Sequence, residues 1–554
     1  MPRYRSEHPR TVSEPLSAEL LVGLGETGHL AHCEVPHATC IRRRETSARL
    51  RPGRTVLVVA DSNSLEIPGT VARTAWLAGA ARAGGLVVSL VAVSFLLRAL
   101  GLVGYGHFVT WTSVLTVIAA ASEFGLTALV SRDLPVATDK SHYLRTLWRT
   151  RWLSLLPVVA LGAAGVALAV SGRVHVGVAL MLVATLNVIS QVVTQLVTVV
   201  GFALGRGAWV VSLELAGKIL WVLGAMSLFY WGGTWVLALA IISVTAALPF
   251  VAYRWLIGDR RKAQNQTSVG RGDVRTMLKS SGVLAGFPII YLAFNRADVL
   301  GLSLSARAAV VGRYATCYRL TDALLGVMVG AASALLPAMA DKERRRERHE
   351  RGRRRLLLGI GWVGAVGIAA SPIWLRVLSG PTMTIGVSDV WVVALLAIGV
   401  GSYTGMQVDM AALVAERMHL RGSLIMILAA VVEGVGAYFA SGSLLVVAGV
   451  VLGIEVLAVL LSSELCRRQG LVGGVANGKW LSGGWVPAGA GIVGAAVDTV
   501  TKSSVTGACV ACLVVGVCAI VSPAVRSELL LVTSRLGTIG RRAETLLRMG
   551  LSKE

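Results

Sequence analysis

From Thr74 to about residue 524, the sequence is a succession of apolar stretches separated by short charged breaks. The stretches run about 20 residues each, the length a helix needs to cross the hydrocarbon core. A backbone inside lipid must satisfy its own hydrogen bonds, which leaves helices or closed barrels. Stretches this long and unbroken select helices. The spans fall near 76–99, 107–131, 151–171, 175–201, 208–230, 234–256, 280–300, 309–337, 356–378, 387–413, 422–440, 443–464, 485–501 and 506–524. The expected fold is therefore an all-α polytopic membrane protein of about fourteen transmembrane helices. Composition agrees: only 15% of the 554 residues are charged, against about 25% in soluble domains.

The net charge of +23 would point to nucleic acid on a soluble chain. Here most of it follows the positive-inside rule. With the N-terminus inside, one side carries Arg42–Arg44, Arg145/Arg149/Arg151, Arg260–Lys262, the run Lys342–Arg355, Arg417/Arg421, Arg467–Arg468 and Arg541–Arg542. The other side keeps Arg98, Arg173, Arg307, Arg376 and Lys502, mostly singly. The alternation places both termini in the cytoplasm and leaves no need for a nucleic-acid partner. Arginine-heavy, lysine-poor usage matches a GC-rich bacterium, hence a bacterial plasma membrane.

The pattern divides the chain into a disordered basic cytoplasmic extension (1–72), a first six-helix lobe (73–258), a cytoplasmic linker (259–279), a second six-helix lobe (280–466), helices 13 and 14 (484–525) and a basic cytoplasmic tail (526–554). The extension holds His29, His32, Cys33, His37 and Cys40, whose spacing matches no common zinc module. No metal and no cofactor are expected. No Walker A sequence occurs, so ATP is not the evident energy source.

An internal repeat underlies the two lobes. "GHFVTWTSV" (Gly106–Val114) and "GRYATCYRL" (Gly312–Leu320) share Gly-x-aromatic-small-Thr at an offset of 206 residues. At the same offset "GLTALVS" (Gly125–Ser131) meets "AASALLP" (Ala331–Pro337). An even number of helices per repeat gives parallel halves, and transporters built this way hold substrate between them.

Charges inside the apolar segments mark that path, since an ionisable group at the bilayer centre costs at least about 2.5–3.5 kcal/mol. Arg319 and Asp322 lie i, i+3 near mid-depth, on one helix face. Arg313 sits nearer the outer mouth, where Arg296 and Asp298 close the preceding helix. Glu214 and Lys218 are i, i+4, a spacing for a self-contained pair. Asn187, Ser190, Gln191, Thr194, Gln195 and Thr198 form a polar stripe that suits either a wet lumen or interhelical hydrogen bonds. Arg82, Glu123, Glu433 and Glu455 are single charges within other spans. Arg82, Lys218, Arg296, Arg313 and Arg319, with Asn187, Gln191 and Gln195, would line a cationic path for an anionic substrate. Arginine's planar fork fits phosphate oxygens bidentately. Glu123, Glu214, Asp298, Asp322, Glu433 and Glu455 would pair with these cations or couple transport to an ion.

"LLRALGLVGYGHF" (Leu96–Phe108), "SEFGLTALVSRDL" (Ser122–Leu134) and "NRADVLGLSL…VVGRYATCYRL" (Asn295–Leu320) together resemble the polysaccharide (O-antigen type) lipid-linked oligosaccharide flippases. That family shares a superfamily with multidrug-and-toxin extrusion transporters and lipid II flippases. The likeness covers roughly residues 74–470 and rests on Arg98-x-Leu100-Gly101, Tyr105-Gly106, Glu123-x-Gly125, Asp298 and Gly312-x-Tyr314. The proline that often follows the Leu-Gly pair is replaced by Leu102-Val103, and the N-terminal extension has no family counterpart. The resemblance implies two six-helix lobes in a V, and movement of an undecaprenyl-diphosphate-linked glycan from the inner to the outer leaflet. It also implies membrane lipids, a polysaccharide polymerase and glycosyltransferases as partners. A lipid II flippase and a multidrug antiporter share the fold. A membrane glycosyltransferase or polymerase would need a larger outer loop than the ten residues near Ser303. A non-transporting scaffold would fit the long N-terminus.

Overall fold

The computed structural model describes residues 69–471 apart from 136, 172–176, 249–269, 416–417 and most of 336–369. The extension 1–68, with its His/Cys cluster, helices 13 and 14 and the basic tail lie outside the described residues. The described secondary structure is all helical, with short connections between the helices. In chain order they are α1 (Gly69–Glu123), α2 (Leu126–Asp133), α3 (Lys140–Val170), α4 (Val178–Ala203), α5 (Gly207–Trp231), α6 (Trp235–Ala246), α7 (Arg271–Phe294), α8 (Ala297–Ser305), α9 (Ala308–Leu335), α10 (Ser371–Ser379), α11 (Val387–Ala415), α12 (His419–Phe439) and α13 (Leu444–Arg468). Seven described helices are long and apolar enough to cross a membrane. The chain is a multi-pass membrane protein. Its outward-facing surface is apolar, with Trp231 86%, Phe439 80% and Leu161 71% exposed, as lipid contact requires.

The helix boundaries follow local chemistry. Gly101 bends α1 with φ 64° and ψ −179°, a conformation open only to glycine. One residue thus replaces the loop expected between spans 76–99 and 107–131. The second span does not continue to 131. It stops at Glu123, because Phe124 and Gly125 adopt φ 53° and 70°. Glu123 then accepts the backbone N–H of Thr127 at 3.3 Å in the first turn of α2. Asp139 starts α3 by accepting the N–H groups of Ser141 and His142 at 3.0 and 2.9 Å.

Arg151 is a correction. Its sequence neighbours read as a cytoplasmic charge cluster, yet its side chain is fully buried. It donates to Ser122 O and Glu123 O, the open carbonyls at the end of α1, at 3.3 and 3.1 Å, and to Val192 O at 2.5 Å. A cation at a helix C-terminus satisfies orphan acceptors and the dipole together. Arg151→Ala should destabilise the detergent-purified protein by about 1–3 kcal/mol for the acceptors left bare, read as a lower unfolding midpoint. An unchanged midpoint would remove Arg151 from the structural framework.

The helices pack as two sets, α1–α6 and α7–α13, meeting through α1 against α9 and α10, and through α2 and α3 against α7. At one end Arg98 donates to Val377 O on α10 at 2.8 Å. At the other, His142 Nε2 lies 3.4 Å from Asp273 Oδ2 on α7. One apolar core includes Leu96, Leu97, Tyr105, Leu126, Val192 and Leu196 of the first set with Tyr314 and Val392 of the second. Another, built on Phe294, Tyr403, Met406, Met410 and Met426, belongs to the second set.

Candidate functional site

The chain breaks for two residues, Asn295 and Arg296, between α7 and α8. The freed Asn295 carbonyl accepts from Tyr318 at 3.3 Å, and the Asn295 amide donates to Tyr403 at 2.9 Å. The break aims Arg296 across to α9, where its guanidinium lies 3.4 Å from Asp322 Oδ2 and over the ring of Tyr318 at 5.9 Å. Arg319 reaches the same Asp322 oxygen at 3.2 Å and donates through Nε to the Tyr105 hydroxyl on α1 at 2.8 Å. One carboxylate thus holds two guanidinium groups, leaving one positive charge in excess. The three charged side chains keep 21–23% exposure, enough for a ligand to reach them.

This geometry corrects two expectations. Arg296 and Asp298 do not close a helix at its mouth: α8 runs on to Ser305, roughly 14 Å further at 1.5 Å per residue. The connection beyond it is two residues, Ala306 and Arg307, rather than ten. Arg296 therefore sits level with Asp322, and Asp322 is not the partner of Arg319 alone.

The other cations are placed differently. Arg313 is clamped by Asp389 through two 2.7 Å bonds and also donates to Thr384 O at 3.2 Å. Lys218 lies over Gly85 of α1, and Glu214 accepts from the Thr198 hydroxyl at 2.8 Å. The side chain of Arg82 lies outside the described residues. The polar stripe of α4 faces α6: Gln191 donates to Asn187 at 2.6 Å, and Asn187 to Ser243 at 2.9 Å. Thr194 donates to Ala246 O. Gln195 Oε1 is buried without a hydrogen-bond donor.

The acids of the second set gather at α8, α12 and α13. Asp298, 1% exposed, accepts from Tyr314 at 2.6 Å and from Val299 N at 2.7 Å. Close packing of Gly301 on the Gly434 backbone brings Glu433 alongside, where it accepts the Asp298 backbone N–H. Glu433 and Glu455 each keep one buried oxygen without a donor. Among the described residues no basic side chain forms an ion pair with any of the three. A carboxyl group buried this way needs a proton or a bound cation.

One buried network had no counterpart in the sequence reading. Asp409 on α11 is contacted by His349 at 3.0 Å, Arg353 at 3.1 Å, Ser462 at 2.9 Å and Ser463 at 2.8 Å. The two basic residues come from the run Lys342–Arg355, expected among the cytoplasmic charges. His349, Asp409 and Cys466 present metal-ligating atoms within 4.8 Å of one another. The Arg353 guanidinium, however, already neutralises the carboxylate that a metal would need. The network anchors His349 and Arg353 to α11 and α13.

Comparisons with known proteins agree with this architecture. No curated protein matches the chain significantly. The fold is similar to the lipid II flippase MurJ in an inward closed conformation, with TM-score 0.60 and 12% identity over 80% of this chain and 98% of that one. It is also similar to a multidrug resistance MATE family transporter of the MOP superfamily. The outward-facing form gives TM-score 0.54 and 11% identity over 72% and 96% of the two chains. The inward-facing form gives 0.53 and 13% over 70% and 95%. Residues 74–343 match the family described as polysaccharide biosynthesis protein. Over that segment, just under half of the chain, the sequence is similar to the polysaccharide biosynthesis protein family.

Proposed function

We propose that the protein is a flippase. It would carry an undecaprenyl-diphosphate-linked oligosaccharide from the inner to the outer leaflet by alternating access, driven by an ion gradient. The observation that carries this reading is the Arg296–Asp322–Arg319 cluster, bonded to Tyr105 across the two helix sets. A diphosphate needs cations that are buried yet reachable, with planar donors. The excess charge there favours an anion over a cationic drug. The polar side chains of α4 and Lys218 would meet the glycan, and Asp298, Glu433 and Glu455 would carry the coupling ion. Lipid II, with the same diphosphate chemistry, is the second reading, favoured by the MurJ-like fold. A polymerase and glycosyltransferases would supply and consume the cargo.

The test uses sealed vesicles containing the purified protein and a fluorescent polyprenyl-diphosphate oligosaccharide or lipid II. A membrane-impermeant glycosidase or lectin reports the leaflet. Gradient-dependent transfer of the oligosaccharide lipid is expected, and slower transfer of lipid II. Faster transfer of lipid II would reassign the cargo. No transfer of either, in vesicles where the protein is folded, would reject the flippase reading.

A further inference from the structure

We propose that Tyr105 is a positioning residue, the latch that ties occupation of Arg319 to closure of the two helix sets. The inference rests on reading Arg319 as the anion contact and goes beyond it to what an anion would do there. A guanidinium has two edges for bidentate binding, Nε with one terminal nitrogen, and the two terminal nitrogens together. In this structure Nε is held by the Tyr105 hydroxyl and one terminal nitrogen by Asp322. A phosphate that takes the Nε edge must displace Tyr105, and one that takes the terminal edge competes with Asp322. The Asp322 bond is charge-assisted on both sides, whereas the tyrosine bond is neutral at one end and weaker. Tyr105 is therefore the partner that yields, and it is the only one of the two on the other helix set.

What yields with it is a glycine seam one residue away. A Cβ on Gly106 would collide with Ala308 O and lie 3.0 Å from Gly312 N. A Cβ on Gly312 would collide with Leu102 O and lie 3.1 Å from Gly106 N. Each glycine thus faces the carbonyl four residues before the other, a reciprocal contact of bare backbone on backbone. Backbones this close come apart as a unit. The Tyr105 ring is fully buried and stacked on Phe108, so it cannot swing away alone. Losing its bond to Arg319 removes the polar tie beside the seam, and an anion on Arg319 thereby favours separation of α1 from α9.

Spin labels at Val103 and Leu304, 55% and 79% exposed on the two sets, report that separation in the full-length protein with its own cysteines replaced by alanine. Without ligand, a single short distance is expected, and pyrophosphate should add a longer one. Tyr105→Phe removes one atom. It should bind pyrophosphate about two- to tenfold more tightly, as loss of a competing neutral hydrogen bond implies. It should also show the longer distance before any ligand is added. Gly106→Ala and Gly312→Ala should show it too, whereas Gly286→Ala, whose Cβ meets nothing within 4 Å, should not. Wild-type distances and wild-type affinity in Tyr105→Phe overturn the latch, whether or not the glycine variants fold. If the native protein binds no pyrophosphate, the anion reading fails, and unchanged ligand-free distances in Tyr105→Phe still overturn the latch separately.

Discussion

Replacing Arg319 with alanine is expected to stop transport while leaving the protein in the membrane. Truncating one partner of a buried, hydrogen-bonded charge contact costs about 2–5 kcal/mol, which is roughly thirtyfold to a few thousandfold in rate if the contact forms as the diphosphate crosses. Lysine should restore only part of this, because an ammonium keeps the charge and loses the fork. Arg296 holds Asp322 in the absence of Arg319, so the variant does not strand a bare carboxylate. The loss should therefore fall on transport more than on stability. Arg307, exposed in the two-residue turn between α8 and α9, is the control and should tolerate alanine. The readout is lipid-linked glycan accumulating on the inner leaflet, alongside protein level. A well-expressed Arg319→Ala variant with normal transport would reduce these arginines to packing and topology residues.

The second large effect is expected at the acids. Asp298→Asn or Glu433→Gln removes a carboxyl that the fold keeps buried without an ion-pair partner among the described residues. Such a group binds its proton or cation because desolvation forbids the bare charge. An amide of the same shape cannot follow the gradient. Stimulation of transfer by an imposed proton or sodium gradient should vanish, while diphosphate affinity stays within about twofold because the arginines are untouched. Imposing the two gradients separately identifies the ion. Stimulation that persists in both variants would place coupling elsewhere, with Glu455 the next acid to change.

Much of this is legible in the sequence. Length and hydropathy point to a helical membrane bundle, and the i, i+3 spacing of Arg319 and Asp322 puts them on one face, where they pair. Three things escaped. Arg296 was placed at the helix mouth because nothing in apolar sequence marks a two-residue break at Asn295 that still continues as helix to Ser305. Arg151 and Arg353 read as cytoplasmic topology charges, since a basic cluster near a span end looks the same whether solvated or turned inward onto carbonyls or a carboxylate. Gly106 and Gly312 were visible as letters of a repeat. Their meaning, a backbone contact between helices 206 residues apart, depends on which helices meet. Arg313 shows the same limit: the Asp389 that claims it lies 76 residues away.

The central claim is that Arg296 and Arg319 receive a diphosphate. The most direct measurement is binding of an unglycosylated polyprenyl diphosphate to the purified native protein, compared with Arg319→Ala, Arg296→Ala and Arg307→Ala. The account predicts that the first two variants each weaken binding at least tenfold, as loss of a charged hydrogen-bonded contact implies, and that Arg307→Ala leaves it unchanged. Equal affinity across all four proteins would contradict it.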